Sequence, residues 1–321
     1  MTTRRPPDFF LVGVPKAGTT ALHAALAQHP GLHLSPVKEP KYYLCGDAPP
    51  PAYVGPGDAH SQREWIWRRE DYLAQFDAAP EGALRGESTP FYLYSRDARR
   101  RIAADNPAAR IVAVLRDPVD RAYSNWMHLW MDGLEPVGDL VAAARLERER
   151  VDAGWAPFWH YSGLGRYGEQ LADLYALFDR EQVLVLRYRE IVDAPATTLA
   201  RVFAHLGVPG IEVAEIPSDN SRGYVGPGLR AAVLGRVIRA GAYAGQFAAP
   251  EHWRRISVPI VGQLHRGGAA SRPRLTPEQR AELLAPHRED IAQLEEVTGE
   301  SFADWLDPDR TGGTFASRRG A

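Results

Sequence analysis

The chain has little cysteine, little methionine and almost no net charge. Among its 321 residues there is one cysteine, Cys45, there are three methionines, and the formal net charge is −2. A single thiol excludes an intrachain disulfide and a cysteine-rich zinc site, and it fits a reducing compartment. With 38 basic against 40 acidic residues, no global field points to nucleic acid or to an anionic membrane. Any anion site has to be built locally, from a few placed cations. Long apolar runs are missing as well. A short, basic, proline-containing start is followed by the apolar stretch Phe9 to Val14, too short for a signal segment or a membrane span. The expectation is a cytoplasmic protein with no membrane span and no nucleic-acid partner. No internal repeat is present.

What is there alternates between strand and helix patterns. The run Asp8–Val14 reads as a buried parallel strand, and Thr19–His29 follows with helix formers and no glycine or proline. Strand, glycine-containing turn and helix make the βα unit of a nucleotide-binding fold. A short strand is expected at Leu32–Ser35, a proline- and glycine-rich loop at Gly46–His60, and an amphipathic helix at Arg63–Phe76. Arg110–Leu115 is a second strong strand. Asp117 then supplies an N-cap and Pro118 the first helical position of a helix running to about Met131. Gly168–Phe178 reads as a helix and Gln182–Tyr188 as another strand. Thr197–Leu206 is a helix stopped by Gly207. Thr276–Thr298 reads as one polar amphipathic helix with Thr276 as its cap. The expected class is α/β: a P-loop-like three-layer fold with a central, mostly parallel sheet flanked by helices. One domain over residues 8–307 is expected, between a flexible start at 1–7 and a flexible tail at 308–321.

The strongest local signal is Gly13-Val14-Pro15-Lys16-Ala17-Gly18-Thr19-Thr20. Amides at a tight turn and the following helix N-terminus form an anion cradle. The glycines have Walker spacing, yet Thr19 stands where a nucleotide triphosphatase carries lysine, and the lysine sits earlier, at Lys16. A triphosphate is screened with lysine and Mg²⁺ together. A sulfuryl group carries less charge, and one lysine beside its leaving oxygen neutralises the developing charge without a metal. A second anion element is Arg110 to Pro118. It places Arg116 at the carboxyl end of a strand, where open α/β sheets bind ligands, and arginine's planar fork suits phosphate. The same stretch mimics a Walker B strand ending in Asp117, but the immediate Pro118 makes that aspartate a better helix cap than metal ligand.

Pro15-Lys16-Ala17-Gly18-Thr19-Thr20 resembles the 5′-phosphosulfate loop of sulfotransferases that use 3′-phosphoadenosine 5′-phosphosulfate (PAPS), in their bacterial and heparan-sulfate-type branch. The resemblance covers Asp8 to about Leu306. It implies that Lys16 contacts the bridging oxygen while Ala17, Gly18, Thr19 and Thr20 hold the 5′-phosphate. Arg116, with Ser124 eight positions later, resembles the 3′-phosphate element. Gln182–Tyr188 is similar to the strand whose terminal tyrosine lies by the adenine, so Tyr188 either meets the base or packs. Arg222, in Asn220-Ser221-Arg222-Gly223, stands where the family has a basic loop over the 3′-phosphate. The cytosolic branch has tryptophan after the two threonines; this chain has Ala21.

Sulfuryl transfer needs a group to accept a proton from the nucleophile. In a parallel sheet, the loop Pro36-Val37-Lys38-Glu39-Pro40-Lys41 lies on the same rim as Lys16 and offers Glu39. It resembles the Lys-Glu-aromatic element in which glutamate is the proposed base, although relatives often have histidine where Lys41 stands. Glu87, in Gly86-Glu87-Ser88-Thr89-Pro90, is the second candidate, in a segment where relatives often have lysine in place of Ser88. His128 and His160 are weaker alternatives. Ser162 and Tyr167 are candidates to line an acceptor cleft, and the aromatic cluster Trp155, Phe158, Trp159 and Tyr161 reads either as its wall or as core. Arg236–Arg266 reads as a lid, a membrane-surface stretch or a partly solvated helix pair.

The function implied is transfer from PAPS to a hydroxyl or amine of a small-molecule, glycan or lipid acceptor, with no metal required. The alternatives are a P-loop kinase or NTPase using ATP–Mg²⁺, and a non-catalytic nucleotide-binding protein.

Overall fold

The computed structural model describes residues 4–56, 64–213, 226, 228–245, 255 and 272–310. Five strands form one sheet: β1 (Phe9–Gly13), β2 (Leu32–Leu34), β3 (Leu84–Ser88), β4 (Arg110–Leu115) and β5 (Val183–Arg187). Their order is β2-β3-β1-β4-β5, and every neighbouring pair is parallel. A parallel strand covered by helices on both faces needs apolar side chains on both faces. β1 is buried at all its positions, and β4 from Ile111 to Leu115.

Because all strands run the same way, their carboxyl ends share one edge. After them come the loop 14–18 and helix α1 (Thr19–Leu26), the loop 35–41 and the short α2 (Tyr42–Cys45), Thr89, Arg116, and Tyr188. That edge is where the sheet gathers its polar residues.

Local chemistry explains several boundaries. Asp117 Oδ1 accepts from the amides of Val119 and Asp120 at 2.9 and 3.0 Å. It thereby caps the long helix Pro118–Met131, which ends where the sequence placed it. Gly207 closes the helix Pro195–Leu206 at φ 73°, a conformation glycine adopts without cost. The stretch expected as one helix over 276–298 is two, Pro277–Leu284 and Arg288–Thr298, joined by a 3₁₀ turn at Ala285–His287. Pro286 has no amide to continue the ladder. Tyr188 opens the helix Tyr188–Asp193 and does not end β5. The helix expected from Arg63 covers Arg69–Ala74.

The C-terminal helix Arg288–Thr298 lies against the helix Tyr167–Tyr175. Asp290 there accepts from the amides of Gly168 and Glu169, both at 3.0 Å. A Cβ at Gly168 would stand 2.2 Å from the Asp290 carbonyl oxygen, so the two backbones meet only through glycine. Arg280 is 2 % exposed and bridges Asp117 and Asp120, which clamps the late helices to the start of Pro118–Met131. No helix among the described residues is long and apolar enough to cross a membrane.

Gly86 in β3 faces the buried ring of Phe9, and a Cβ there would fall 2.0 Å from Phe9 Cζ. Gly86→Ala is expected to destabilise the protein by about 1–3 kcal/mol through overpacking. Urea denaturation checks this; an unchanged midpoint would show that the ring has room to move.

Candidate active site

The loop between β1 and α1 is held to the sheet by Val14 N–H donating to the Val114 carbonyl at 2.8 Å. Lys16 takes φ 70°, and Gly18, the residue before α1, takes φ 79°. For a residue with a Cβ the left-handed region costs roughly 1–2 kcal/mol, and such strain persists only where the surroundings enforce it. The first amides of α1 have no acceptor within the helix, so this turn presents donors to an anion. Thr19 is buried and Thr20 exposed at the opening of α1, with Lys16 half-buried beside them.

Arg116 comes to this loop from the end of β4. Its Nη1 donates to the Lys16 carbonyl at 2.7 Å, and its guanidinium lies 4.7 Å from the centroid of the Tyr188 ring. Tyr188 in turn covers Gly18: a Cβ at Gly18 would stand 3.1 Å from the ring. Lys16, Gly18, Arg116 and Tyr188 are therefore one constellation. Asp117 and Asp120, the acids next to Arg116 in sequence, have Arg280 as their cation, and Asp117 also carries the helix cap. Its oxygens are thus engaged in roles other than a Walker B ligand. Ser124 is half-buried two turns along the same helix. Arg121, three residues before Ser124 on the same helix, is fully buried, donating to Asn125 Oδ1 at 3.0 Å and the Tyr161 carbonyl at 2.5 Å. Arg222 lies outside the described residues.

On the other side of β1, the loop 35–41 is pinned to β3. Ser35 N–H donates to the Gly86 carbonyl at 2.9 Å and Glu39 N–H to the Ser88 carbonyl at 3.0 Å; Lys41 N–H donates to Thr89 Oγ1 at 3.4 Å. Glu39 and Lys41 both take left-handed backbones, φ 61° and 64°. Glu39 is partly exposed, with Lys38 Nζ 2.5 Å from its carboxylate. Glu87 is fully buried. Tyr92 Oη donates to its Oε2 at 3.3 Å, while its Oε1 has no hydrogen-bond partner. Burial raises the Glu87 pKa to about 7; the Tyr72, Thr89 and Tyr92 hydroxyls oppose the rise and the Glu39 charge adds to it. Glu39 is thus partly open to solvent, whereas Glu87 is fully buried beside Tyr92.

The structure also brings in a residue the sequence reading passed over. His23, on α1, shares a 2.8 Å hydrogen bond between its Nδ1 and Ser88 Oγ. The only available signal was the i,i+4 spacing from Thr19, which puts both on one face of α1. The two histidines considered earlier have other positions. His128 is exposed and 3.5 Å from Asp132. His160 is held between Tyr94 Oη at 2.9 Å and the Trp155 carbonyl at 3.3 Å. Tyr161 and Tyr167 are buried, and Tyr161 Oη donates to Glu135 at 2.6 Å. Trp159 is buried as well. These are core positions, as is usual for large aromatics, so Tyr167 does not line a cleft. Ser162 is partly exposed, its amide donating to Glu147 at 2.6 Å.

A loop running into the first amides of α1 and an arginine meeting it, on the sheet edge that also carries a partly exposed carboxylate, suit transfer of a charged group. The model of the sulfotransferase family matches residues 7–212. The chain belongs to the sulfotransferase family. Over 205 residues it is 27% identical to human (Homo sapiens) heparan sulfate glucosamine 3-O-sulfotransferase 6, covering 64% of this chain and 53% of that protein. Over 217 residues it is 28% identical to the mouse (Mus musculus) bifunctional heparan sulfate N-deacetylase/N-sulfotransferase 3, covering 64% of this chain and 23% of that one. The chain thus spans about half the length of the first of these relatives and under a quarter of the second. Among solved structures, a sulfotransferase from Alicyclobacillus acidocaldarius superposes with a TM-score of 0.72 at 27% identity, covering 94% of this chain and 98% of the other. That agreement extends the likeness beyond the matched region, to the late helices that clamp Asp117.

The buried Glu87 carboxyl predicts a pH dependence of stability. An unfolded glutamate loses its proton near the ordinary value of 4.5, while the folded one keeps it to about 7. The folded state therefore binds more protons in that window, and stability falls as pH rises through it. Glu87→Gln removes the effect, so its stability relative to wild type should rise by roughly 3 kcal/mol between pH 4.5 and 8. Urea denaturation at several pH values reads this directly; parallel pH profiles for the two proteins would refute it.

Proposed function

We propose that this chain transfers a sulfuryl group from PAPS to a hydroxyl or amine of a carbohydrate, lipid or small-molecule acceptor, with residues 8–307 as the transferase unit. The observation that carries the proposal is the hydrogen bond from Arg116 to the Lys16 carbonyl. It joins two anion elements on one sheet edge, as a nucleotide phosphorylated at both its 3′ and 5′ positions requires.

In this reading the amides opening α1, with Thr19 and Thr20, hold the 5′-phosphate. Arg116 and Ser124 hold the 3′-phosphate, and Tyr188 lies against the base. The acceptor oxygen or nitrogen attacks sulfur in line, and its bond to sulfur forms as the bond from sulfur to the bridging oxygen breaks. The electron pair leaves with adenosine 3′,5′-bisphosphate, where the Lys16 ammonium stabilises it. The acceptor's proton passes to Glu39. Glu87, buried beneath this loop, shapes the acceptor side without touching the acceptor. The likeness to both an O- and an N-sulfotransferase supports either nucleophile. A kinase reading is disfavoured because Asp117 is committed to the helix cap and to Arg280.

The two cations should separate chemistry from binding. Lys16→Ala should lower turnover by roughly 10²–10³-fold with a milder loss of nucleotide affinity. Arg116→Ala should instead weaken adenosine 3′,5′-bisphosphate binding by about 10- to 100-fold, as expected for a lost charge-assisted contact. Calorimetry with that nucleotide, beside ATP–Mg²⁺, and a labelled-sulfate transfer assay measure both; tighter binding of ATP–Mg²⁺ would overturn the assignment. Glu39→Gln should reduce transfer by about 10²–10⁴-fold and leave nucleotide affinity near wild type. Full activity in that variant would move the base elsewhere.

A further inference from the structure

Ser88 ends β3 and touches two other elements of the site. Its carbonyl accepts the Glu39 amide at 3.0 Å, and its hydroxyl bonds His23 at 2.8 Å. His23 lies on α1, one turn beyond Thr19. A continuous path therefore runs from the phosphate loop through α1, His23 and Ser88 to the backbone of Glu39. That backbone is left-handed at φ 61°, a conformation that relaxes unless its surroundings hold it.

Satisfying the buried Ser88 hydroxyl would by itself account for a hydrogen-bonding neighbour. Two further facts give the contact more than that role. The strand end it fixes is the one that holds the strained Glu39. The imidazole also lies within electrostatic reach of both Lys38 and Glu39, which places it against the acceptor loop.

We propose that His23 is a positioning residue: through Ser88 it holds the Glu39 loop in register with the phosphate loop, so that the proton acceptor is placed relative to the nucleotide site. This rests on the reading of Glu39 as the base. Burial, and then the Lys38 charge, lower the imidazole pKa to about 4. The ring is neutral near pH 7, and its bond to Ser88 adds no positive charge next to Lys38.

The test uses the full chain with four substitutions: His23→Leu, His23→Asn, Ser88→Ala, and the double change of His23→Leu with Ser88→Ala. Two readouts are taken, native-state hydrogen exchange of the Glu39 amide and steady-state kinetics beside nucleotide calorimetry. In His23→Leu the Glu39 amide should exchange at least about tenfold faster, as its acceptor strand end loosens. Turnover should fall on the order of 10²-fold, the scale of a displacement of about 1 Å, with adenosine 3′,5′-bisphosphate affinity kept. Asn carries an amide group near the place of Nδ1, so His23→Asn should recover much of both and guard against a simple folding defect. Ser88→Ala should match His23→Leu, and the double variant should be no worse than either, since both cut one path. Unchanged Glu39 exchange, additive losses, or nucleotide affinity falling in step with turnover would overturn the proposal. If the wild-type protein transfers no sulfate, the reading of Glu39 as base fails, while the exchange readout still decides whether His23 holds the loop.

Discussion

A guanidinium donating to a backbone carbonyl ties the β4 end to the β1 loop, and the rest of the site is arranged around that contact. Lys16 needs a left-handed backbone, which costs roughly 1–2 kcal/mol. A hydrogen bond from a charged donor is worth about 1.5–3 kcal/mol, so the Arg116 contact offsets the strain at Lys16. Arg116 can serve because its sequence neighbours are occupied. Asp117 and Asp120 pair with Arg280, brought from more than 150 residues away. A guanidinium has five donors; one goes to Lys16 and the cation's face to Tyr188.

The acceptor side follows a different logic. Three strained or buried features meet there: left-handed Glu39, left-handed Lys41, and the buried Glu87 carboxyl. Glu87 sits in an aromatic shell in which Tyr42 stacks on Tyr72 at 4.4 Å, while Tyr43 meets Tyr72 and Tyr92 edge-on at 5.5 and 5.7 Å. Such a shell excludes water, and a carboxyl inside it keeps its proton to higher pH. The two glutamates thus differ in reach and in charge. One is partly exposed beside Lys38, and the other is buried and keeps its proton to about pH 7.

Much of the phosphate side was legible because it is local. A glycine pair, a lysine between them and threonines opening a helix lie within eight residues, and Arg116 follows an unbroken apolar strand with an unmistakable cap. The acceptor side was harder. β3 reads Leu-Arg-Gly-Glu-Ser, with neither an apolar run nor an alternation, and it was seen only as a segment resembling the family's. Glu87 and Ser88 are buried because β1 and β2 flank β3, with Tyr92 bonded to one oxygen of Glu87 and His23 to Ser88. The single late helix failed at Pro286, a breaker in plain view whose effect was outweighed by the polar amphipathic pattern around it. Tyr188 was assigned to the strand because apolar alternation marks a strand's body better than its last residue.

The sequence by itself determined the class of fold, the anion loop and the cation at the end of β4, since each depends on residues close together in the chain and on backbone rules that act locally. Only the tertiary structure decided which glutamate is partly exposed and which is buried, which cation balances Asp117, and that a histidine on α1 meets the end of β3. Those outcomes depend on burial and on pairings across the sheet. A one-dimensional pattern does not carry them, because the energy of a buried charge or hydroxyl is set by whatever the fold happens to place beside it.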